Sequence, residues 1–414
     1  MVSRLEFRVL LHDLWAQRLR TALTLLGITW GTTAIVLLLA FGEGVHEQNA
    51  KQMKGIGEGV VIVWGGVTSK PYQGFNRGRS ILLVEEDVEL LRREIPEILH
   101  ISPEYSRYRV AVKGPRNVDQ TTVAGVIPEY GDIRNVFASP GGRFIDRLDM
   151  KYTRRVAFIG DRLRDFLFGP GEEVIGKTVL IERMPFTVIG VLKKKQQSSS
   201  YNMQDADRVF IPATTFKVVF GHRYISNFVY KLKRPEDNGV AEKKMYRLLG
   251  RKYRFNPDDL DALYVWDTSK MQAVFDHFLL GFQIFLGLMG FLTLVVGGIG
   301  VANIMYVVVR ERAPEIGIRR AVGAHRRNIL LQFLVEAAFI VAAGAAIGFA
   351  LAMMLVEILQ FLPADVVDVV GVPKVSPVIS AVCIAVLGMV ALLAGYFPAR
   401  RAALIDPVQA IREA

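Results

Sequence analysis

Val307 to Leu330 reads VVVRERAPEIGIRRAVGAHRRNIL, a short charged stretch set between two long apolar runs. Upstream, Leu279 to Val309 is 31 residues without a formal charge, and downstream Asn328 to Val356 carries only Glu336. A hydrocarbon core about 30 Å thick takes about 20 apolar residues of helix. Both runs therefore read as membrane spans, and the charged stretch as a tight turn on one side of the bilayer. Arg310, Arg312, Arg319, Arg320, Arg326 and Arg327 assign that side to the cytoplasm.

The turn carries its own helix signals over Pro314 to Val322. Proline suits a first helical position, where its missing N–H would be unpaired anyway, and Glu315 in the first turn meets the positive end of the helix dipole. Glu315 and Arg319 stand four apart in the favourable order, and Gly323 is a C-terminal stop. Ile316 and Ile318 stay exposed unless something covers them, so the segment reads as a docking knob joined to two spans. An ordinary positively charged loop is the alternative.

Working outward, Thr21–Phe41 and Ser376–Phe397 are two further uncharged runs of span length. The expected organisation is an amphipathic interfacial or cytoplasmic helix at 1–20, spans at 21–41, 278–309, 328–358 and 376–397, a charged loop at 310–327, a linker at 359–375 and a tail at 398–414. A large α+β region, 42–277, is inserted between spans one and two. Lys and Arg number four in the first twenty residues, six in the 310–327 loop, three after Phe397 and one in 363–375. Both termini are therefore expected in the cytoplasm and the inserted region outside, because long domains cross largely regardless of charge. The first span is read as retained, since no cleavage site of the A-x-A kind comes after it.

The composition agrees with a membrane part plus one sizeable soluble domain: 414 residues, 51% hydrophobic, with a mean hydropathy of +0.29. The net charge of +11 invites a nucleic-acid reading. The arginines beside spans are explained by topology instead, and no nucleic-acid partner is expected. Cys383 is the single cysteine and lies in an apolar run, while the six histidines are scattered, so no metal site is read here. Gly27 and Gly31 form a G-x-x-x-G pair, and Gly297, Gly298 and Gly300 crowd span two. Small residues at such spacings let helix backbones approach closely, within a bundle or across a dimer.

Within the inserted region, strands are expected at Val60–Trp64, Tyr108–Val112, Thr121–Val126, Arg155–Ile159, Val209–Ile211, Asn227–Leu232 and Leu263–Trp266. Helices are expected at Glu85–Ile95, Asp161–Phe168 and Asp237–Leu249. Thr178–Ile181 and Phe186–Val191 suggest a hairpin around Met184–Pro185, and Lys193–Asp207 reads as a long polar loop. Thr268 onward reads as one helix entering span two, with Phe41–Lys54 its mate below span one. Gly171 to Thr178, GEEVIGKT, satisfies the phosphate-loop pattern. The adjoining residues, VLIERMPFTVIGV, alternate like a hairpin rather than a helix. Glu172 and Glu173 would also repel phosphate, so the match reads as coincidence. Glu336 is the one acid well inside a span; a clamp onto Arg319 or Arg320 is the favoured reading over a proton or substrate site.

Val295–Ala337, with Leu26–Gly44 and Gly395–Arg412, resembles the FtsX-type permease domain, and most closely the MacB-like ABC transporters. The resemblance extends over essentially the whole chain. It implies a dimeric permease, with a second copy or a paralogue, and no catalytic site of its own. A separate ABC ATPase would carry ATP and Mg. The short charged helix becomes a coupling helix, with Glu311, Glu315, Ile316, Gly317, Arg319, Arg320 and Gly323 as docking residues. Ile316 and Gly317 would then enter the partner groove, with Glu315, Arg319 and Arg320 at its rim. The resemblance further implies a periplasmic adaptor, with Lys193, Lys194, Gln197 and Tyr201 as contact candidates, and an outer-membrane duct. ATP-driven motion of the coupling helices would drive the outer domain in efflux from the inner membrane by mechanotransmission. Lipoprotein extraction, or FtsX-like signalling to a cell-wall hydrolase, are the alternatives on the same fold.

Overall fold

The computed structural model describes residues 18–197, 200–361 and 371–406. The amphipathic segment expected at 1–20 lies almost wholly outside them, as do most of the 359–375 linker and the last eight residues. The chain divides into two compact units, one drawn from Met1–Gln48 and Asp276–Ala414, the other Asn49–Phe275.

In chain order the helices are α1 (Arg18–Ile56), α2 (Glu85–Glu94), α3 (Glu129–Arg134), α4 (Arg147–Lys151), α5 (Asp161–Phe168), α6 (Ala213–Phe220), α7 (Asn238–Tyr253), α8 (Thr268–Glu311), α9 (Ala313–Ala321), α10 (Arg326–Leu359) and α11 (Pro377–Ala403). Strands are β1 (Val60–Gly65), β2 (Ile98–Lys113), β3 (Val118–Val126), β4 (Val156–Ile159), β5 (Thr178–Ile181), β6 (Met184–Val191), β7 (Val209–Pro212), β8 (Asn227–Leu232) and β9 (Leu263–Asp267).

Four of the described helices are long and apolar enough to cross a membrane: Thr21–Gln52 within α1, then α8, α10 and α11. α8 alone is 44 residues, about 66 Å at ~1.5 Å per residue, more than twice a hydrocarbon core of about 30 Å. Between α1 and α8 the backbones come together at glycine. A Cβ built on Gly297 would lie 3.3 Å from the backbone of Gly27. One turn away on α1, Gly31 packs on Leu294, while Gly300 faces Thr24 and Gly298 faces Val390 of α11. All five of the singled-out glycines thus serve contacts inside the chain. Gly348 does the same between α1 and α10, where Thr33 Oγ1 donates to its carbonyl at 3.0 Å.

The inserted unit is built on nine strands in the order β3-β7-β4-β6-β5-β2-β8-β1-β9, with β2 also pairing β3. The β2–β3–β7–β4–β6–β5 pairings therefore close back on β2. β2 is 16 residues long and changes partners along its length: Ile98–Glu104 pairs β8, and Tyr105–Lys113 pairs β3. The β3 pairing itself is interrupted by a bulge between Arg107 and Val110, with Arg109 at φ 54°. The β5–β6 turn differs from the sequence reading. It falls at Glu182 and Arg183, both at positive φ (47° and 67°), the backbone that matches strand twist in a two-residue hairpin. Pro185 lies inside β6 opposite Leu180, before the β4 pairing begins at Thr187, so its missing N–H breaks no bond to β4.

The inserted unit owns its core. Val61, Val63, Leu91, Ile101, Val123, Phe186, Phe216, Phe228 and Leu249 share one apolar cluster, all at most 1% exposed. A fragment from Glu43 to Phe275 should therefore be soluble and unfold in one cooperative thermal transition, followed by circular dichroism. Aggregation or a non-cooperative melt under ordinary buffer conditions would count against an autonomous domain.

Candidate functional site

The corner between α8 and α10 is built by α9. Arg312 caps it, Pro314 occupies its first turn, and Gly323 at φ +103° ends it, so the helix begins and ends one residue earlier than the sequence signals suggested. Its two faces differ. Ile316 is 4% exposed and belongs to the same apolar core as Val309, Ile329, Phe333 and Ala402; Gly317 is buried beside it. Glu315, Ile318, Arg319 and Val322 lie along the exposed side, with Ile318 55% and Val322 85% exposed, and Glu311 at the end of α8 is exposed too.

That arrangement corrects the docking reading. Ile316 and Gly317 are covered by the chain itself, whereas the exposed apolar pair is Ile318 and Val322. The reason is geometric: residues two apart on a helix point about 200° apart, so Ile316 and Ile318 cannot share a face.

Polar side chains tie this corner to the bundle. Arg312 Nη1 lies 3.3 Å from Glu336 Oε1, which also accepts from Gln332 Nε2 at 3.3 Å. Arg319 Nη1 donates to Gln332 Oε1 at 3.1 Å. Arg320 Nη1 donates to the carbonyls of Ala403 and Ile405 at 3.1 and 3.0 Å, a cation at the negative end of α11. Glu336 pairs with Arg312, where the sequence reading had Arg319 or Arg320. Arg319 is taken one turn earlier on α10, and Arg320 is committed to α11. α9 is thus bonded to α10 and to the end of α11 and continues from α8.

The inserted unit holds a second constellation that no local motif announced. Glu104, Arg134, Asp205 and Arg208 are each 0% exposed. Arg208 Nη2 donates to Glu104 Oε1 at 2.5 Å, and Asn227 Nδ2 donates to Glu104 Oε2 at 2.9 Å. Tyr201 donates its hydroxyl proton to Glu104 and lies 3.0 Å from the Tyr130 hydroxyl. Arg134 Nη2 reaches Asp205 at 3.3 Å, and Lys195 Nζ donates to Asp205 Oδ2 at 2.8 Å. Burial alone would raise the Asp205 carboxyl; Arg134, Lys195 and Arg208 outweigh it and hold Asp205 down at about 2. Burial also pushes the Lys195 ammonium down, partly offset by Asp205.

Of the four contact candidates, Lys193 and Lys194 are exposed. Tyr201 is tied inward through its hydroxyl and Gln197 through its Oε1, which accepts from the Asp205 N–H at 3.1 Å. Both are half-buried parts of the polar network rather than open surface.

The phosphate-loop look-alike opens β5, not a helix. Lys177 Nζ is held by Glu172 Oε2 at 3.0 Å, and the Gly176 N–H is spent on the Val188 carbonyl. Lys177→Ala should leave ATP hydrolysis by an assembled transporter unchanged; a large loss in a folded complex would reverse this assignment.

The sequence matches the MacB-like periplasmic core domain over residues 21–248 and the FtsX-like permease C-terminal domain over 287–407. The chain is a MacB-like permease. This MacB-like chain is 34% identical over 406 residues to the pyoverdine export ATP-binding/permease protein of Pseudomonas putida, matching 96% of this chain and 58% of that protein. It is 30% identical over 406 residues to a macrolide export ATP-binding/permease protein of Yersinia pestis, over 98% of this chain and 57% of that one. It thus spans less than two thirds of these relatives' length. The crystal structure of the periplasmic region of MacB from Actinobacillus actinomycetemcomitans aligns with 55% of this chain and 96% of its own, at 19% identity and a TM-score of 0.43.

Proposed function

We propose that this MacB-like chain is the transmembrane part of an inner-membrane exporter, worked from the cytoplasm by an ABC ATPase that seats on the exposed face of α9. ATP and Mg would be bound by that ATPase, outside residues 1–414. The observation that carries the reading is the two-sided build of α9. Its inner face is fixed to three spans through Arg312, Ile316 and Arg320, while Ile318 and Val322 stand in the open beside Glu315 and Arg319. A helix so fastened delivers a push to the spans rather than absorbing it.

On this reading both termini are cytoplasmic, a second copy or paralogue completes a dimer, and α1 and α8 carry motion toward a periplasmic inserted domain. An adaptor protein and an outer-membrane duct would receive the cargo, with Lys193 and Lys194 on the contact surface. The relatives named for macrolide and pyoverdine export make a macrolide a practical first cargo. The test is reconstitution in sealed vesicles with the genome-neighbouring ABC ATPase. ATP-dependent macrolide movement that requires both proteins is expected. ATP hydrolysis that is indifferent to this chain, with no co-purification of the two, would overturn the reading.

A further inference from the structure

The residues after β6 run directly against the end of α1. A Cβ built on Gly55, in the last turn of α1, would stand 1.8 Å from the Gln196 carbonyl oxygen. Beyond it, Gly57 turns at φ +114°, where a Cβ would meet the Ile133 carbonyl oxygen at 2.3 Å. Arg134 Nη1 donates to the Ile56 carbonyl at 2.5 Å, so a buried guanidinium caps the C-terminus of the helix whose earlier part is the first span. The same guanidinium sits 4.9 Å over the Tyr201 ring. Lys195 closes the arrangement from the other side, donating to the carbonyls of Arg134 and Asn135 at 3.0 and 3.3 Å as well as to Asp205.

Arg134 bonds both the Ile56 carbonyl at α1's end and Asp205, and Lys195 bonds Arg134, Asn135 and Asp205. Lys195 and Asp205 thus hold Arg134 in turn, and two glycines remove the side chains that would keep the backbones apart. An ammonium or guanidinium at a helix C-terminus is favourable by dipole and hydrogen bond together. Buried polar side chains bonded on several sides have few alternative arrangements. A shift of the end of α1 therefore bears directly on the Gln196 backbone.

We propose that Lys195–Gln197 is a strap fastening the end of α1 to the inserted domain, with Arg134 and Asp205 as its positioning residues, so that displacement of α1 arrives at the outward-facing Lys193 and Lys194. This rests on the reading that α1 moves in an ATP-driven cycle, and it adds the point at which that motion leaves the helix. The strap itself requires no nucleotide and is tested separately from its use.

Gly55→Ala is the decisive variant. Alanine is favourable in a helix, and the change removes no charge from the network, yet its Cβ must push Gln196 away. In the full-length protein, the Asp205 amide, which donates to Gln197 Oε1, should exchange about tenfold faster with solvent in Gly55→Ala, as local opening does. Unchanged exchange in a folded variant overturns the strap. If Gly55→Ala fails to fold, Lys195→Met, at a half-buried position, takes its place with the same expectation.

For its use, Lys193→Cys is labelled with bimane; Cys383, the one native cysteine, is buried in α11. With the ATPase bound, ATP, Mg and vanadate should shift the bimane emission, and Gly55→Ala should abolish the shift while hydrolysis continues. A shift that survives Gly55→Ala, or its absence in an actively hydrolysing wild-type complex, overturns the transmission claim. Failure of the ATPase to bind would instead remove the proposed function, leaving the exchange experiment to decide the strap.

Discussion

Ile318→Asp combined with Val322→Asp should strip the ATPase from the purified complex and abolish its stimulated hydrolysis, while leaving the chain in the membrane. Both side chains are exposed in the chain alone, so two carboxylates there meet water and cost the fold little. Seated in a partner's groove, the same carboxylates would be buried without a partner, which is strongly unfavourable. Central apolar anchors of an interface are commonly worth about 2 kcal/mol or more each. The pair would thus weaken association by about three orders of magnitude at ~1.4 kcal/mol per tenfold. Arg319→Ala, at the edge of that face, should act far more mildly. The measurement is co-purification followed by hydrolysis assays at several ATPase concentrations. A double variant that still carries a fully stimulated ATPase would show that α9 docks through some other face, or not at all.

Ile316→Asp makes the informative contrast. It places a charge in the chain's own bundle core, beside Phe333 and Ala402, so its effect should show in the thermal stability of the detergent-solubilised chain before any partner is added. Loss of ATPase binding in that variant would be ambiguous, whereas the same loss in Ile318→Asp, at unchanged stability, would not.

The difference between those two isoleucines shows what the sequence could and could not disclose. Pro314, Glu315 and Gly323 act on their neighbours in the chain, and they announced α9 to within one residue. Which side of α9 is covered depends on α10 and α11, whose packing no local signal encodes. The spans were legible for the same reason that caps are: about 20 apolar residues in a row have few other uses. β2 was legible only over Tyr108–Val112, because Ser102, Glu104 and Ser106 interrupt its apolar alternation; the structure buries all three. The partner of Glu104 lies far away, Arg208 being 104 residues along the chain, and a polar residue in a strand reads as solvent-facing until its counter-charge is seen. α3 and α4 are six and five residues, too short for a 3.6-residue period to emerge. α6, ATTFKVVF, is rich in β-branched residues that favour strands. Its helix is set by the sheet it packs on rather than by propensity.

That buried polar core yields the other large effect. Glu104→Leu removes the carboxylate that receives Arg208, Asn227 and the Tyr201 hydroxyl, and Arg208 has no route to water, being 0% exposed. Breaking a buried ion pair from one side costs about 3–5 kcal/mol, because the remaining charge stays buried. For a domain of this size, at roughly 2–4 °C per kcal/mol, the melting temperature of the 43–275 fragment should fall by about 6–20 °C. The double variant Glu104→Leu with Arg208→Met should recover part of that loss, since it leaves no orphaned charge at this pair, although Asn227 and Tyr201 still lack their acceptor. Acid should act on the same network through Asp205. Its carboxyl, held at about 2 in the fold against an ordinary 3.8, contributes stability that is fully present above about pH 4 and is lost as the pH falls through 2. Thermal melts of the fragment between pH 7 and pH 2 should therefore show stability falling steeply below pH 4, and Asp205→Asn should flatten that fall. A Glu104→Leu fragment that melts within about 2 °C of wild type, less than 1 kcal/mol on the same scale, would mean that Asp205, 3.5 Å from Arg208 Nη1, or water suffices to hold Arg208. The network would then be incidental to the fold.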